Sequence, residues 1–317
     1  MLREAIEIFA EFKVIAPDMP AILPPVRRGI VTLSNDRRLT WSEWGQAGAM
    51  PILFVTGAGM DGSLGFGEEV LDDLGLRLIA PDRPGLGGSD KDPAKTLTSV
   101  AEDFAGLAAQ LETGPMPIVA FSQGAPFALA MAARGGFGPV ALVSGQDDLG
   151  HQAFSGQLPP EVAHMVHQAA TDPNGFLEMM TRIAEPGGLF DLILSMSSAA
   201  DKARYGSEPF ASAYRRALQG GFRQGPEGYA RDTLAAFGAW PFDLEEISGR
   251  VALWYGAQDK SPVHSPDFGK TLSCRLPNAV RHVLSREGGA LLWTRARDIL
   301  SDLKAATQAV SGSEPNG

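Results

Sequence analysis

Cysteine is nearly absent: Cys274 is the only one in 317 residues, so no internal disulfide can form. That suits a reducing compartment, and a cytoplasmic location is the expectation. No apolar run approaches the ~18 residues that a membrane-spanning helix needs. The opening "MLREAIEIFAEFK" mixes acids into its apolar residues and lacks a signal-peptide core. Cations are outnumbered: 27 Lys and Arg face 37 Asp and Glu, a formal net charge of −10. With no basic patch interleaved with aromatics, neither nucleic acid nor an anionic membrane is expected as a partner. Histidine is scarce as well, and the five present narrow any search for a general base to a few positions.

What remains is a globular composition, 44% hydrophobic and 20% charged, in a chain long enough for a sizeable core. Residues Leu2, Ala5, Ile6, Phe9 and Phe12 share one helical face, and the Pro-rich "APDMPAILPP" (16–25) ends that helix as an extended arm. Two β-type runs at 28–33 and 38–45 flank a short turn and read as a hairpin. Apolar strands at 51–59 (running into glycines), 76–82, 116–121 and 139–144 then alternate with helical stretches at 67–74, 99–111 and 123–134. Strands apolar on both faces, alternating with helices, imply a parallel sheet covered on both sides. From about 145 to 239 the alternation gives way to helical patterns, and it resumes with a strand at 250–256, a helix near 266–274, a strand at 279–285 and a helix over 290–306. The middle segment therefore reads as an insertion into one α/β domain, placed over the carboxyl ends of the strands, where open α/β sheets bind ligands. The expected division is an N-terminal helix and arm at 1–27, a core at 28–145 and 240–309, a helical cap at 146–239 and a disordered tail at 310–317. The N-terminal arm is a candidate dimer element.

The chemistry centres on "IVAFSQGAPFALA" (118–130). Ser122 stands between a strand and a helix with Ala120 and Gly124 on either side, where a sharp turn brings the backbone close to neighbouring strands. Such a turn exposes the hydroxyl at a helix amino end, which favours developing negative charge. The alternative for this serine is simple helix capping. The glycine-rich turn in "FVTGAGMDGS" (54–63) follows a strand and can aim N–H groups at an oxyanion; the N–H groups of Ala58 and Gln123 are the candidates.

The order "ILFVTGAG", "LIAPDRPGLGGSD", "IVAFSQGAPFALA", "GPEGYARDTLAAFGAWPFDLEEI" and "LWYGAQD" resembles the α/β-hydrolase superfamily, in its esterase and peptidase branch with a helical cap, over about 28–305. The resemblance implies the α/β-hydrolase fold, a mostly parallel sheet with helices on both faces. It also implies a Ser, acid, His triad in that chain order. The acid position after the seventh strand matches Asp259, with Asp147 and Asp148 after the sixth strand as the lesser alternative. Thr56 stands where relatives often carry the histidine of a His-Gly pair, an exchange that backbone chemistry tolerates.

The base departs from the pattern. The triad histidine expected after the eighth strand falls, in "HVLSREGGALLW" (282–293), on Gly289. The replacement candidates are His264, just beyond Asp259, and His164 with His167, three apart on one helix face. His151, His282 and Glu287 rank behind them, and the His164/His167 pair has no third ligand for a metal site. No cofactor is implied, because "GLGG" (85–88) lacks the strand, turn and helix of a dinucleotide site.

Three functions follow as expectations. The first is a serine hydrolase acting through Ser122 on a small ester, lactone or other acyl compound, with a non-standard or missing base. The second is a ligand-binding module that has lost hydrolysis, and the third a lyase- or cyclase-type enzyme on the same scaffold. In each, the partner is a small apolar ligand held under the methionine-bearing cap.

Overall fold

The computed structural model describes residues 22–311. The helix expected near the N-terminus, most of the Pro-rich arm and the last six residues of the tail lie outside that range.

Eight strands form one sheet: β1 (Arg27–Thr32), β2 (Arg38–Gly45), β3 (Met50–Val55), β4 (Leu76–Pro81), β5 (Ile118–Phe121), β6 (Val140–Val143), β7 (Val251–Gly256) and β8 (Ala279–Leu284), in the order β1-β2-β4-β3-β5-β6-β7-β8. The β1–β2 hairpin is antiparallel, β2 is antiparallel to β4, and the remaining pairs are parallel. Every residue of β5, β6 and β7 is buried, as the uninterrupted apolar runs of central parallel strands require.

Because side chains alternate across a strand, the sheet divides the core in two. Phe54, Val119, Phe121 and Val143 face one cluster, which also holds Leu189, Phe190, Tyr205, Phe210 and Tyr214 from the segment between β6 and β7. Leu53, Val55, Ile118 and Ala120 face the other, against α2 (Leu97–Gln110) and α3 (Gly124–Arg134). A fully buried side chain such as Phe54 contributes about 1.5–3 kcal/mol to either half. The first eight residues of α3 are all buried, so this helix is apolar all round and sits at the centre of its layer. A further helix, α1 (Glu68–Leu74), links β3 to β4.

Between β6 and β7 the chain builds α4 (Pro160–Thr171), α5 (Pro173–Ile183), α6 (Pro186–Ser195), α7 (Ala199–Tyr205), α8 (Phe210–Gly221) and α9 (Glu227–Phe237). Proline at the first helical position and Asp172, Glu185 and Ser198 at the caps start several of these short helices.

Two helices differ from expectation. The one near 266–274 shortens to α10 (Lys270–Arg275), because Asp267 takes the N–H groups of Lys270 and Thr271 and Gly269 turns through φ +77° before them. The final helix divides into α11 (Leu291–Thr294) and α12 (Ala296–Ser311). Trp293 is drawn into the core, its Nε1–H donating to the Gly65 carbonyl at 3.0 Å, and Arg295 leaves the helical region to follow it.

Candidate active site

Ser122 follows β5 with φ +50°, a left-handed conformation that costs a non-glycine residue about 1–3 kcal/mol and survives only where its surroundings enforce it. They do so by hydrogen bonds on both sides. Ser122 N–H donates to Val143 O at 3.1 Å, and Ser122 O accepts from Ala125 and Gln146 N–H at 3.0 Å each. Gly124 answers to close approach, since a Cβ there would stand 2.5 Å from Val55 O and 2.8 Å from Thr56 O. The hydroxyl is thereby fixed above the carboxyl end of the sheet.

Ser122 Oγ lies 2.9 Å from His264 Nε2, and His264 Nδ1 lies 2.6 Å from Asp259 Oδ2. Both partners come from the loop after β7. Asp259 Oδ1 accepts Ser261 N–H at 3.0 Å, shaping the turn that brings His264 back toward the sheet. Ser265 fixes the other side of the imidazole: its N–H donates to Gly145 O at 3.2 Å and its hydroxyl to Asp147 Oδ2 at 2.6 Å. Burial presses the Asp259 carboxyl upward, but His264 and the neighbouring N–H groups outweigh it and hold it below the ordinary value. An acceptor on Nδ1 leaves Nε2 free to receive a proton from the serine.

The turn after β3 faces the same point. Ala58 and Gln123 both line the cavity at Ser122, and among the described residues neither N–H has an acceptor. A fully buried cation holds this turn from behind. Arg83 donates to Thr56 O and, at 2.9 Å, to Gly57 O through Nη1 and Nη2, and pairs its Nε with Asp232 Oδ2 at 2.8 Å. Lys95 pairs with the other Asp232 oxygen, and all three side chains are buried. The carbonyls of the turn are thus drawn toward Arg83, away from the cavity. Sequence reasoning missed this trio. Nothing local marks these three among their charged neighbours, and their meeting spans about 150 residues of chain.

The cavity has a volume of about 340 Å³ and is walled by both the sheet loops and the helices between β6 and β7. Met165, Leu189, Leu192, Ile193 and Val263 make it largely apolar, and Glu161, Asp201 and Asp259 are the acids on its wall. No Lys or Arg reaches it among the described residues.

The other histidines do not join Ser122. His164 and His167 are exposed on α4 and do not line the cavity, so the expectation that either replaces the triad histidine is corrected. His151 caps a short 3₁₀ turn, its Nδ1 accepting Ala153 N–H at 3.2 Å. His282 lies in mid-strand on β8, stacked on Trp254 with ring centroids 4.0 Å apart. Glu287, the remaining base candidate, is held elsewhere: it accepts from Thr294 Oγ1 at 2.7 Å and pairs with Arg295 at 2.8 Å. Asp148 pairs with Arg275 at 2.8 Å, and Asp147 supports Ser265. Gly289 is buried beside Asp259, where a Cβ would stand 3.0 Å from its Oδ1. Its N–H and that of Ala290 donate to Asp201, at 2.9 and 3.0 Å, and Asp201 also accepts Ser198 Oγ at 2.8 Å. Among the described residues no group of three His, Cys, Asp or Glu side chains is arranged to hold a metal ion.

A model of the alpha/beta hydrolase fold matches residues 50–261, and the chain belongs to that family. No curated protein matches the sequence significantly. Among solved structures it is similar to a thermophilic esterase from Thermogutta terrifontis, at 20% identity and a TM-score of 0.65 over 90% of this chain and 99% of the other. An enol-lactonase from Burkholderia xenovorans LB400 is similar at 18% identity and a TM-score of 0.66, over 88% and 100% of the two chains. A bromoperoxidase from Bacillus anthracis is similar at 18% identity and a TM-score of 0.63, over 89% and 100%.

Proposed function

We propose that this protein is a serine hydrolase of small, neutral, largely apolar esters or lactones, with Ser122 as nucleophile, His264 as general base and Asp259 as its orienting acid. The observation that carries the reading is the unbroken Ser122–His264–Asp259 hydrogen-bond chain, built although Gly289 occupies the position after β8. The esterase and enol-lactonase neighbours share its fold and are consistent with acyl chemistry.

In the proposed cycle Ser122 Oγ attacks the acyl carbon while His264 Nε2 takes its proton, and Asp259 stabilises the resulting imidazolium. The oxyanion receives the N–H groups of Ala58 and Gln123. His264 then protonates the departing alkoxide, leaving an acyl-Ser122 ester. Water, deprotonated by the same imidazole, attacks that ester, and collapse releases the acid and restores Ser122. The segment 146–239 serves as a cap over the substrate, joined to the core segments 28–145 and 240–309. The cytoplasm remains the proposed location, and the N-terminal arm a proposed dimer contact.

A serine-directed fluorophosphonate supplies the test. Labelling should occur on Ser122, disappear in Ser122→Ala, and slow by orders of magnitude in His264→Ala. Equal labelling of native protein and Ser122→Ala, or none in either, would refute nucleophilic activation and favour the binding-module reading.

A further inference from the structure

Tyr205 at the end of α7 and Tyr214 in α8 stand among aromatic neighbours that carry no oxygen. Tyr205 stacks on Phe210 with centroids 6.0 Å apart, Tyr214 meets Phe190 edge-on at 5.9 Å, and both lie 6.0 Å from Trp293. The two rings touch each other edge-on at 5.7 Å. Packing therefore fixes both, and phenylalanine would pack as well in either place.

The hydroxyls need another explanation. Each tyrosine is only 3% exposed and lines the Ser122 cavity, and among the described residues neither hydroxyl has a hydrogen-bond partner. Neither oxygen is among the fully enclosed polar atoms, so both hydroxyls open on the cavity, and their retention beside Phe and Trp in a largely apolar wall points to a partner supplied by whatever fills that cavity. Asp201, the acid nearest in sequence, is already engaged by Ser198, Gly289 and Ala290. Burial also pushes both phenols upward from the ordinary tyrosine value, so they stay neutral O–H groups. The partner cannot readily be an anion, because acids and no Lys or Arg line the wall among the described residues.

We infer that Tyr205 and Tyr214 form a polar subsite in the apolar cavity, recognising a second, neutral oxygen of the substrate, a ketone or hydroxyl set apart from the scissile acyl group. This deepens the hydrolase reading and rests on it for the position of the acyl group. A site built to hydrogen-bond an oxygen discriminates strongly against the analogue lacking it, because its own polar groups are then left unpaired.

The test compares methyl heptanoate with methyl 4-, 5- and 6-oxoheptanoate, and hexyl acetate with 5-oxohexyl acetate, so that both the acyl and the alcohol side are probed. At least one oxo ester should exceed its parent in kcat/KM by about ten-fold or more. The preference should vanish in Tyr205→Phe/Tyr214→Phe through loss on the oxo ester, with the thermal midpoint no lower than in the native protein. Parents handled as well as every oxo ester, or a preference that survives in the double variant, would overturn the subsite. Calorimetric binding of the same pairs to Ser122→Ala separates the two readings. An oxo preference in binding that depends on the tyrosines, without turnover by the native protein, would remove the hydrolase and keep the subsite. Turnover without any preference would remove the subsite and keep the hydrolase.

Discussion

His264 Nδ1 and Asp259 Oδ2 stand 2.6 Å apart although the two residues are separated by only five positions on one loop after β7. The proposed base and acid are therefore positioned by a single connection, and the strand expected between them from the family resemblance is not used. In the proposed mechanism their removal has unequal consequences. Ser122→Ala and His264→Ala should each lower kcat/KM on a reactive ester by about 10⁴ to 10⁶, leaving the activity that the oxyanion turn alone supports. Asp259→Asn should cost about 10⁴, chiefly in kcat, because the imidazole loses its tautomer rather than its place. The double variant His264→Ala/Asp259→Asn should be hardly worse than His264→Ala, since the pair acts as a unit. Steady-state kinetics on all four proteins check this.

Restoring a histidine at Gly289 should not raise activity. A Cβ at that position would come within 3.0–3.3 Å of all three atoms of the Asp259 carboxylate group, and the backbone there is fixed by Asp201. The ring would compete with His264 for Asp259 and press on the contact between α7 and the loop after β8. Gly289→His should accordingly reduce kcat/KM and lower the thermal midpoint. A sharp gain on simple esters would show that His264 is not the working base.

The sharp turn at Ser122 was legible because its demands are local. A left-handed serine needs a small residue where Gly124 meets the Val55 and Thr56 carbonyls, and that requirement is written in adjacent positions. The turn bearing Ala58 was legible from the glycines that follow its strand, whereas Asp259 was placed by the family resemblance, after the seventh strand. His264 was only one candidate among several, because its direction depends on how its loop folds back, and that is set by Ser265 against Gly145 and Asp147, more than 100 residues earlier. The tyrosine pair was not legible. It arises where α7 and α8 pack against Trp293, and helical periodicity within the segment says nothing about which residues of separate helices meet.

Stability should depend on Asp147 between about pH 4 and pH 7. Burial raises its carboxyl from 3.8 to about 6, so the folded protein binds more protons than the unfolded chain between those values. Stability is then lost as pH rises through that window, by about 3 kcal/mol at most once the group is fully ionised. Asp147→Asn keeps an acceptor for Asp148 N–H and a donor for Ser265 Oγ, whose hydroxyl can turn to Asp267. The variant should therefore be more stable than the native protein at pH 7.5 and indistinguishable at pH 4. Urea midpoints at the two pH values measure the difference, and an equal offset at both would show that the carboxyl does not titrate in this range.

The Arg83–Asp232–Lys95 trio should matter to both stability and rate, through separate routes. Asp232 lies in α9 and is the only carboxylate bonded to Arg83 among the described residues, and both side chains are fully buried. Asp232→Asn leaves two cations without their counter-charge. Lys95, whose burial already lowers it to about 8, can shed its proton, whereas the guanidinium cannot. The uncompensated charge should cost about 3–5 kcal/mol in urea denaturation. The rate effect comes from the other side of Arg83, which holds the Thr56 and Gly57 carbonyls and so points the Ala58 N–H at the cavity. If that orientation serves the oxyanion, Asp232→Asn should lower kcat more than it raises KM, since the interaction strengthens only as charge develops on the substrate oxygen. Loss of stability with kcat unchanged would confine the trio to joining α9 to the sheet.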